Sequence, residues 1–153
     1  MREYIKMKKL KLIVEHLPIT LAVVYLNIQF NSESSEYHIL GILIFGWLID
    51  ADHLIDYLYY LFNSKKKLST VEFLSGNYFK KNNLVIIPGH SFELTIIIFM
   101  LGFIFDDKGL YFVSLAHLLH LFQDLYSNKV DLFGYFLTYR IKNKFSLSKI
   151  CKN

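Results

Sequence analysis

The sequence predicts an all-α membrane protein, a polytopic bundle of four transmembrane helices with a short helix on the cytoplasmic membrane surface. Three observations predict this class. Hydrophobic residues make up 54% of the 153 residues, and aromatic residues make up 17%. Four mainly apolar stretches have the length needed to cross a hydrocarbon core, about 20 residues of helix. Basic residues are concentrated in alternate connections between those stretches. A chain of this length is expected to form one domain, residues 1–153.

The four predicted spans cover about residues 10–30, 37–62, 84–105 and 110–126. Pro18 lies in the first span, where neighbouring helices can satisfy the carbonyl group that it leaves free. Between the second and third spans, Ser69 and Glu72 form a capping-box pattern. An amphipathic helix is therefore predicted over about residues 69–81. The lysines at both of its ends suit an anionic membrane surface.

The distribution of Lys and Arg predicts the orientation of the spans. Of the 17 basic residues, all but Lys108 precede the first span, lie in the connection before the third, or follow the fourth. The positive-inside rule then places both termini and the connection before the third span in the cytoplasm. The expected location is the cell inner (cytoplasmic) membrane. A soluble helical bundle with basic loops is the alternative, and the asymmetry of charge disfavours it. A net charge of +4 without a basic stripe gives no indication of a nucleic-acid partner.

Each predicted span carries ionisable residues, which are costly in a membrane and usually mark function. At 100° per residue, His117, His120 and Asp124 fall within about 60° of arc on one helix face. His90 and Glu93 share a face in the same way. The predicted orientation brings the polar groups of all four spans to a similar depth on the cytoplasmic side.

Histidines and carboxylates that converge from several helices predict a metal site. The expected ligands are Asp50, Asp52, His53, His90, His120 and Asp124, with His16 and His117 as further candidates. For His16, the alternative to binding the metal is a hydrogen-bonded packing role. For His117, direct ligation and a supporting role next to the ligands, without contact to the metal, are weighed equally. Nitrogen and oxygen ligands suit a divalent metal, with zinc the first expectation and manganese or iron as alternatives. Asp56 and Glu93 are predicted to act as general base or to orient the histidines.

The order of these residues resembles a known family. The segments Asp50-Ala-Asp52-His53, then Gly89-His90-Ser91, then His120-Leu-Phe-Gln-Asp124 are similar to signatures of the inner-membrane metal-dependent hydrolases of the YdjM-like group. Those signatures read Pro-Asp-x-Asp-His, a His-Arg-Gly…Thr-His-Ser block and Ser-His-x-x-x-Asp, in that order. The resemblance spans about residues 50–127. It implies a small polytopic protein with metal-dependent hydrolase activity, and His16 matches an early histidine common in the family.

The chain departs from the family pattern at three places. Ile49 replaces the proline, Leu119 replaces the serine before His120, and the His-Arg pair of the middle block is missing. An arginine binds anionic groups in a planar, bidentate manner, so its loss puts in doubt the binding of such a group in a substrate. The predicted metal ligands are kept.

These features together predict a membrane-embedded metal-dependent hydrolase that acts on an ester or phosphoester at the cytoplasmic leaflet. A lipid or lipid-linked phosphate is the natural substrate for a site at that depth. The first alternative is an ion or metal transporter, which the apolar outer halves of the spans disfavour. The second is a non-catalytic membrane scaffold whose polar groups hold the bundle together.

Overall fold

The computed structural model describes residues 15–128 and 130–151. Within these ranges the chain is helical and contains no β-strand beyond two isolated bridges. The all-α class predicted from the sequence is therefore confirmed for the described residues. The predicted start of the first helix at about residue 10, the basic residues before it and Lys129 lie outside those ranges.

The described α-helices are, in chain order, α1 (Leu17–Phe30), α2 (Glu36–Gly46), α3 (His53–Ser64), α4 (Thr70–Ser75), α5 (Asn77–Asn82), α6 (Phe92–Ile104), α7 (Lys108–Ser127), α8 (Leu137–Lys142) and α9 (Leu147–Ile150). Short 3₁₀-helices cover Leu48–Asp52 and Leu132–Tyr135.

Helices α1, α2, α6 and α7 pack together around one apolar core. The core residues are Val23, Ile42, Ile98, Val113 and Ala116. Gly46 lets α2 approach its neighbours closely, because a Cβ at this position would lie 2.8 Å from Thr20 Oγ1 and 3.1 Å from the Ala116 Cβ. The four helices correspond in order to parts of the four predicted spans.

The second predicted span is not one continuous helix. It consists of α2, the 3₁₀-helix Leu48–Asp52 and α3, with a bend of 59° between α2 and the helical segment Leu48–Ser64. The bend lies just before a polar run that contains Asp50 and Asp52. Both of these side chains contact partners outside their own helix.

The third predicted span begins later than expected, at Phe92. Pro88 disfavours helix in the residue before it, and Ser91 provides the N-cap by accepting a hydrogen bond from the Leu94 N–H at 3.3 Å. The predicted surface helix over 69–81 is also divided. Gly76, with φ +65°, separates α4 from α5, and a left-handed residue of this kind ends a helix.

Among the described residues, no single helix is both long and apolar enough to cross a membrane. The bent pair made of α2 and the segment Leu48–Ser64 meets the criteria of length and composition when its two parts are taken together.

At the end of the bundle that holds the α1–α2 and α6–α7 turns, His38 joins two helix N-termini. Its Nε2 lies 3.0 Å from Asp107 Oδ1, while its Nδ1 accepts a hydrogen bond from the Ser35 N–H at 3.2 Å. Asp107 caps α7 by accepting hydrogen bonds from the backbone N–H groups of Gly109 and Leu110. Gly109 has no room for a side chain, because a Cβ there would collide with the His38 ring.

Candidate metal centre

Four side chains from three parts of the chain converge at the other end of the bundle. Asp50 comes from the 3₁₀-helix after α2, His90 from the loop before α6, and His120 and Asp124 from the last half of α7. One ligand atom of each lies within 4.8 Å of the others. We call these four residues the metal cluster. The two histidines are completely buried, and Asp124 is 8% exposed.

The Nε2 atom of His90 lies at the centre of this cluster. It is 3.1 Å from Asp50 Oδ1, 3.2 Å from His120 Nε2 and 3.5 Å from Asp124 Oδ2. His120 Nε2 lies 3.7 Å from Asp50 Oδ1 and 3.8 Å from Asp124 Oδ2. Two ligand atoms at about 2.1 Å from a tetrahedral zinc ion are roughly 3.4 Å apart. The distances within the cluster therefore suit a small divalent ion.

The other ring nitrogen of each cluster histidine faces a hydrogen-bond acceptor. His120 Nδ1 lies 3.1 Å from the carbonyl oxygen of Gly46, which is the last residue of α2 and belongs to the group of carbonyls without a helical partner. His90 Nδ1 lies 3.1 Å from Asp52 Oδ2, which also accepts a hydrogen bond from the Gly89 N–H at 2.9 Å. A carboxylate or carbonyl behind a histidine is the usual support of a metal ligand.

A second group of metal-binding residue types adjoins the first. Asp52, His53 and His90 also bring ligand atoms within 4.8 Å of one another. His53 Nε2 lies 3.5 Å from Asp50 Oδ1, so this member of the second group borders the metal cluster. The two groups share His90, and its Nδ1 already contacts Asp52.

The two further candidate ligands differ in position. His16 stacks on His120, with ring centroids 3.8 Å apart, and its Nε2 lies 3.4 Å from Asp124 Oδ1. It therefore borders the metal cluster. His117 lies one turn before His120, and both of its nitrogens have other partners: Nε2 contacts the Gly89 carbonyl oxygen and Nδ1 contacts Thr95 Oγ1, each at 2.9 Å. This arrangement favours the supporting role for His117.

The two predicted catalytic carboxylates hold backbone groups. Asp56 accepts hydrogen bonds from the N–H groups of Ile86 and Ile87 at 2.7 and 2.8 Å. Glu93 accepts bonds from the N–H groups of Leu137 and Thr138, each at 2.9 Å, at the start of α8. The role of general base stays a prediction for both residues, and the structure gives each an anchoring role.

Arg140 is a residue of the site that the sequence analysis did not select. It is completely buried, and its guanidinium donates hydrogen bonds to the carbonyl oxygens of Ile86, Ile87 and His90 at 2.7–2.8 Å. Burial lowers the pKa of Arg140 below its usual value, and the carboxylate of Asp52 acts in the opposite direction. One signal was present in the sequence: Arg140 is the single arginine among the lysines of the C-terminal segment.

A pocket of about 560 Å³ opens beside the metal cluster. Two cluster residues, Asp50 and Asp124, line it together with His16 and His53. Its size lies within the range of small-molecule sites, roughly 300–1,000 Å³. The candidate centre is therefore reachable by a ligand from one side.

Comparison with family models, with curated proteins and with solved structures found no match to this chain. The resemblance to inner-membrane hydrolases stays a prediction based on short motifs. The geometry itself defines the class of site: the described part of the chain is all-helical and holds a largely buried group of Asp and His residues that can bind a divalent metal.

Proposed function

We propose that this chain is a membrane-embedded metal-dependent hydrolase that cleaves an ester or phosphoester. In this proposal Asp50, His90, His120 and Asp124 hold one divalent ion. Zinc is the preferred ion because it takes imidazole and carboxylate ligands and would have to accept a fifth ligand for water or substrate to reach it, and manganese and iron accept the same donors. Asp52, His53 and His16 surround these ligands.

The observation that carries the proposal is the contact between the Nε2 atoms of His90 and His120, 3.2 Å apart. Gly46 O can only accept a hydrogen bond, which favours the proton on Nδ1 of His120. His90 faces a carboxylate at each nitrogen, Asp52 at Nδ1 and Asp50 at Nε2, and in this proposal its proton lies on Nδ1. Neutral rings in that form present two lone pairs to each other. A cation between them, with the carboxylates of Asp50 and Asp124 close by, removes this repulsion.

In this proposal, His53 transfers the proton during hydrolysis next to the bound ion. A bound divalent ion polarises the substrate and makes water at the site more acidic. Water adds to the acyl carbon or phosphorus, its proton passes to His53, and His53 returns the proton to the oxygen of the alcohol that leaves. His53 suits this role because it lines the pocket and its Nε2 lies 3.5 Å from Asp50 Oδ1, beside the proposed ion.

Embedding in a membrane is supported by the exposed surface of the bundle. Large apolar side chains are exposed along α1 and α6, among them Leu21, Ile28, Ile96, Phe99 and Phe103. Soluble monomers rarely expose apolar surface in large continuous patches. Helix α7 has 20 residues, which gives it a length of about 30 Å. The four-span arrangement with both termini in the cytoplasm remains our proposal for how these helices lie in the bilayer.

Elemental analysis of the purified protein tests the metal assignment. We expect close to one zinc per chain in the wild type and in His117→Gln, and strong loss of zinc in His120→Gln. The two variants are matched, because both change a buried histidine of α7 to the same residue. A folded wild type that binds no metal after incubation with zinc, manganese or iron would contradict the proposal and favour a doubly protonated His90.

The single cysteine offers a test of the membrane proposal. An impermeant maleimide should label Cys151 only after the cells are permeabilised. In a Cys151→Ser background, Ser32→Cys, in the exposed α1–α2 turn, should be labelled in intact cells. Release of the chain from membranes by an alkaline wash would contradict the proposal.

A further inference from the structure

The pocket beside the metal cluster has a lining of mixed chemistry. Its polar lining residues are His16, Asp50, His53 and Asp124 of the site, together with Glu15, Ser75, Ser127 and Asn128. Its apolar lining residues, which we call the apolar side, are Trp47, Leu48, Phe73, Leu74 and Phe79. The last three belong to the pair of short helices α4 and α5. A ligand that fills this pocket meets both the polar groups of the site and the apolar side chains of α4 and α5.

The apolar side begins one side chain away from the proposed metal ligands. The ring of Phe79 meets the ring of His53 edge to face, with centroids 5.4 Å apart. His53 Nε2 in turn lies 3.5 Å from Asp50 Oδ1. A substrate with its reacting group at the cluster therefore has its neighbouring atoms against the α4–α5 pair.

The α4–α5 pair is held in place by contacts with α3. Tyr57, Tyr60 and Tyr78 form a second buried cluster, against which Phe73 and Phe79 pack. The Tyr57 hydroxyl donates a hydrogen bond to the Ser69 carbonyl at 2.9 Å, at the start of α4. The apolar wall is thus preformed, which lowers the entropic cost of binding.

We infer that this pocket binds the apolar chain of an amphiphilic substrate, a single-chain ester or phosphoester whose head lies at the metal cluster. The inference rests on the proposed function and specifies its substrate class. A substrate with a polar tail would lose hydration against Phe73, Leu74 and Phe79 without gaining matched hydrogen bonds there. An apolar tail gains free energy from the same burial.

Leu74 is the residue of this wall best suited to substitution. It is half-buried, lines the pocket, and is not among the residues packed against the tyrosine cluster. Val71, on the same helix, is 50% exposed and does not line the pocket. Leu74→Ser and Val71→Ser therefore form a matched pair, one variant inside the pocket and one outside it.

Binding of alkylphosphonates to the full chain in lipid nanodiscs tests the inference without requiring catalysis. Isothermal titration calorimetry on the zinc-loaded protein would compare methyl-, butyl- and octylphosphonate. Full burial of each added methylene raises affinity about fourfold, so we expect a clear rise with chain length. Leu74→Ser should weaken octylphosphonate binding about tenfold and leave methylphosphonate unchanged, while Val71→Ser should change neither.

The chelated protein separates this inference from the proposed function. Loss of methylphosphonate binding after zinc removal supports the contact between head and metal, and unchanged binding overturns that contact, while the zinc content of the protein reports on the metal site itself. Chain-length dependence reports on the pocket alone. Equal affinity for all three phosphonates, or equal effects of Leu74→Ser and Val71→Ser, overturns the inference even if the metal site is real.

Discussion

Asp56 and Arg140 hydrogen-bond the backbone of the same two residues, Ile86 and Ile87. Asp56 accepts from both N–H groups, and Arg140 donates to both carbonyl oxygens. Arg140 also donates to the His90 carbonyl. The loop that presents His90 to the metal cluster is therefore fixed by two charged side chains that are distant from it in sequence.

Removal of Arg140 should destabilise the protein and weaken metal binding. Arg140→Met leaves three carbonyl groups without their donor, and a buried polar group left unpaired costs about 1–3 kcal/mol. We expect a large fall in the thermal unfolding midpoint in detergent and a lower zinc content. The unfolding midpoint and zinc content of Arg140→Lys should lie between those of the wild type and of Arg140→Met, because lysine keeps the charge but not the planar guanidinium group. Lys142→Met, an exposed change in the same helix, should have little effect, and equal losses in both methionine variants would contradict the role of Arg140.

Asp52→Asn should weaken the metal site without abolishing it. Asp52 contacts His90 Nδ1 and is thereby expected to orient the ring. Loss of such a supporting carboxylate typically lowers metal affinity 10–100-fold. Competition with a zinc-binding dye would measure the change, and Asp106→Asn, in the exposed α6–α7 turn, is the control. An affinity equal to that of the wild type would remove Asp52 from the site.

Glu93→Ala should free the start of α8 and leave the metal cluster intact. The Glu93 carboxylate accepts hydrogen bonds from the Leu137 and Thr138 N–H groups and from the Thr138 hydroxyl, at 2.7–2.9 Å. We expect faster amide hydrogen exchange over residues 137–142 with unchanged zinc content. A loss of hydrolytic activity with unaltered exchange would instead support Glu93 as the general base.

The link between His38 and Asp107 should make stability depend on pH in the acidic range. Partial burial raises the pKa of Asp107. Hydrogen bonds from His38 and from the Leu110 and Gly109 N–H groups lower this pKa by a larger amount, so it lies below the usual 3.8. A carboxylate with a lowered pKa stabilises the fold above its unfolded pKa, and this contribution is lost as pH falls through the folded pKa.

Unfolding midpoints at about pH 6, 4 and 3 would measure this effect, because these values span the ordinary pKa of an aspartic acid side chain, about 4. We expect Asp107→Asn to be less stable than the wild type at pH 6 and the difference to shrink below pH 4. Asp106→Asn should follow the wild type throughout. A constant difference between Asp107→Asn and the wild type would show that the ionised carboxylate contributes nothing.

The residue types and spacings in the sequence selected the four members of the metal cluster within a larger set of eight candidate ligands. His120 and Asp124 are separated by one helical turn, so a regular α7 places them on one face whatever surrounds it. Asp50 and His90 were selected because ionisable groups are costly in apolar segments. An ionisable residue in an apolar segment can be recognised from the sequence alone. The all-helical class followed from the same apolar pattern.

Only the tertiary structure decided where the helices break and what supports the ligands. A continuous helix over 37–62 was predicted, yet the chain bends after α2, where the Gly46 carbonyl meets His120 and Asp52 meets the loop at Gly89. Arg140 and Asp56 act through backbone groups 30 or more residues away. Every residue carries the same backbone groups, so the sequence holds no local signal for such a bond. It exists only once packing has brought the two segments together.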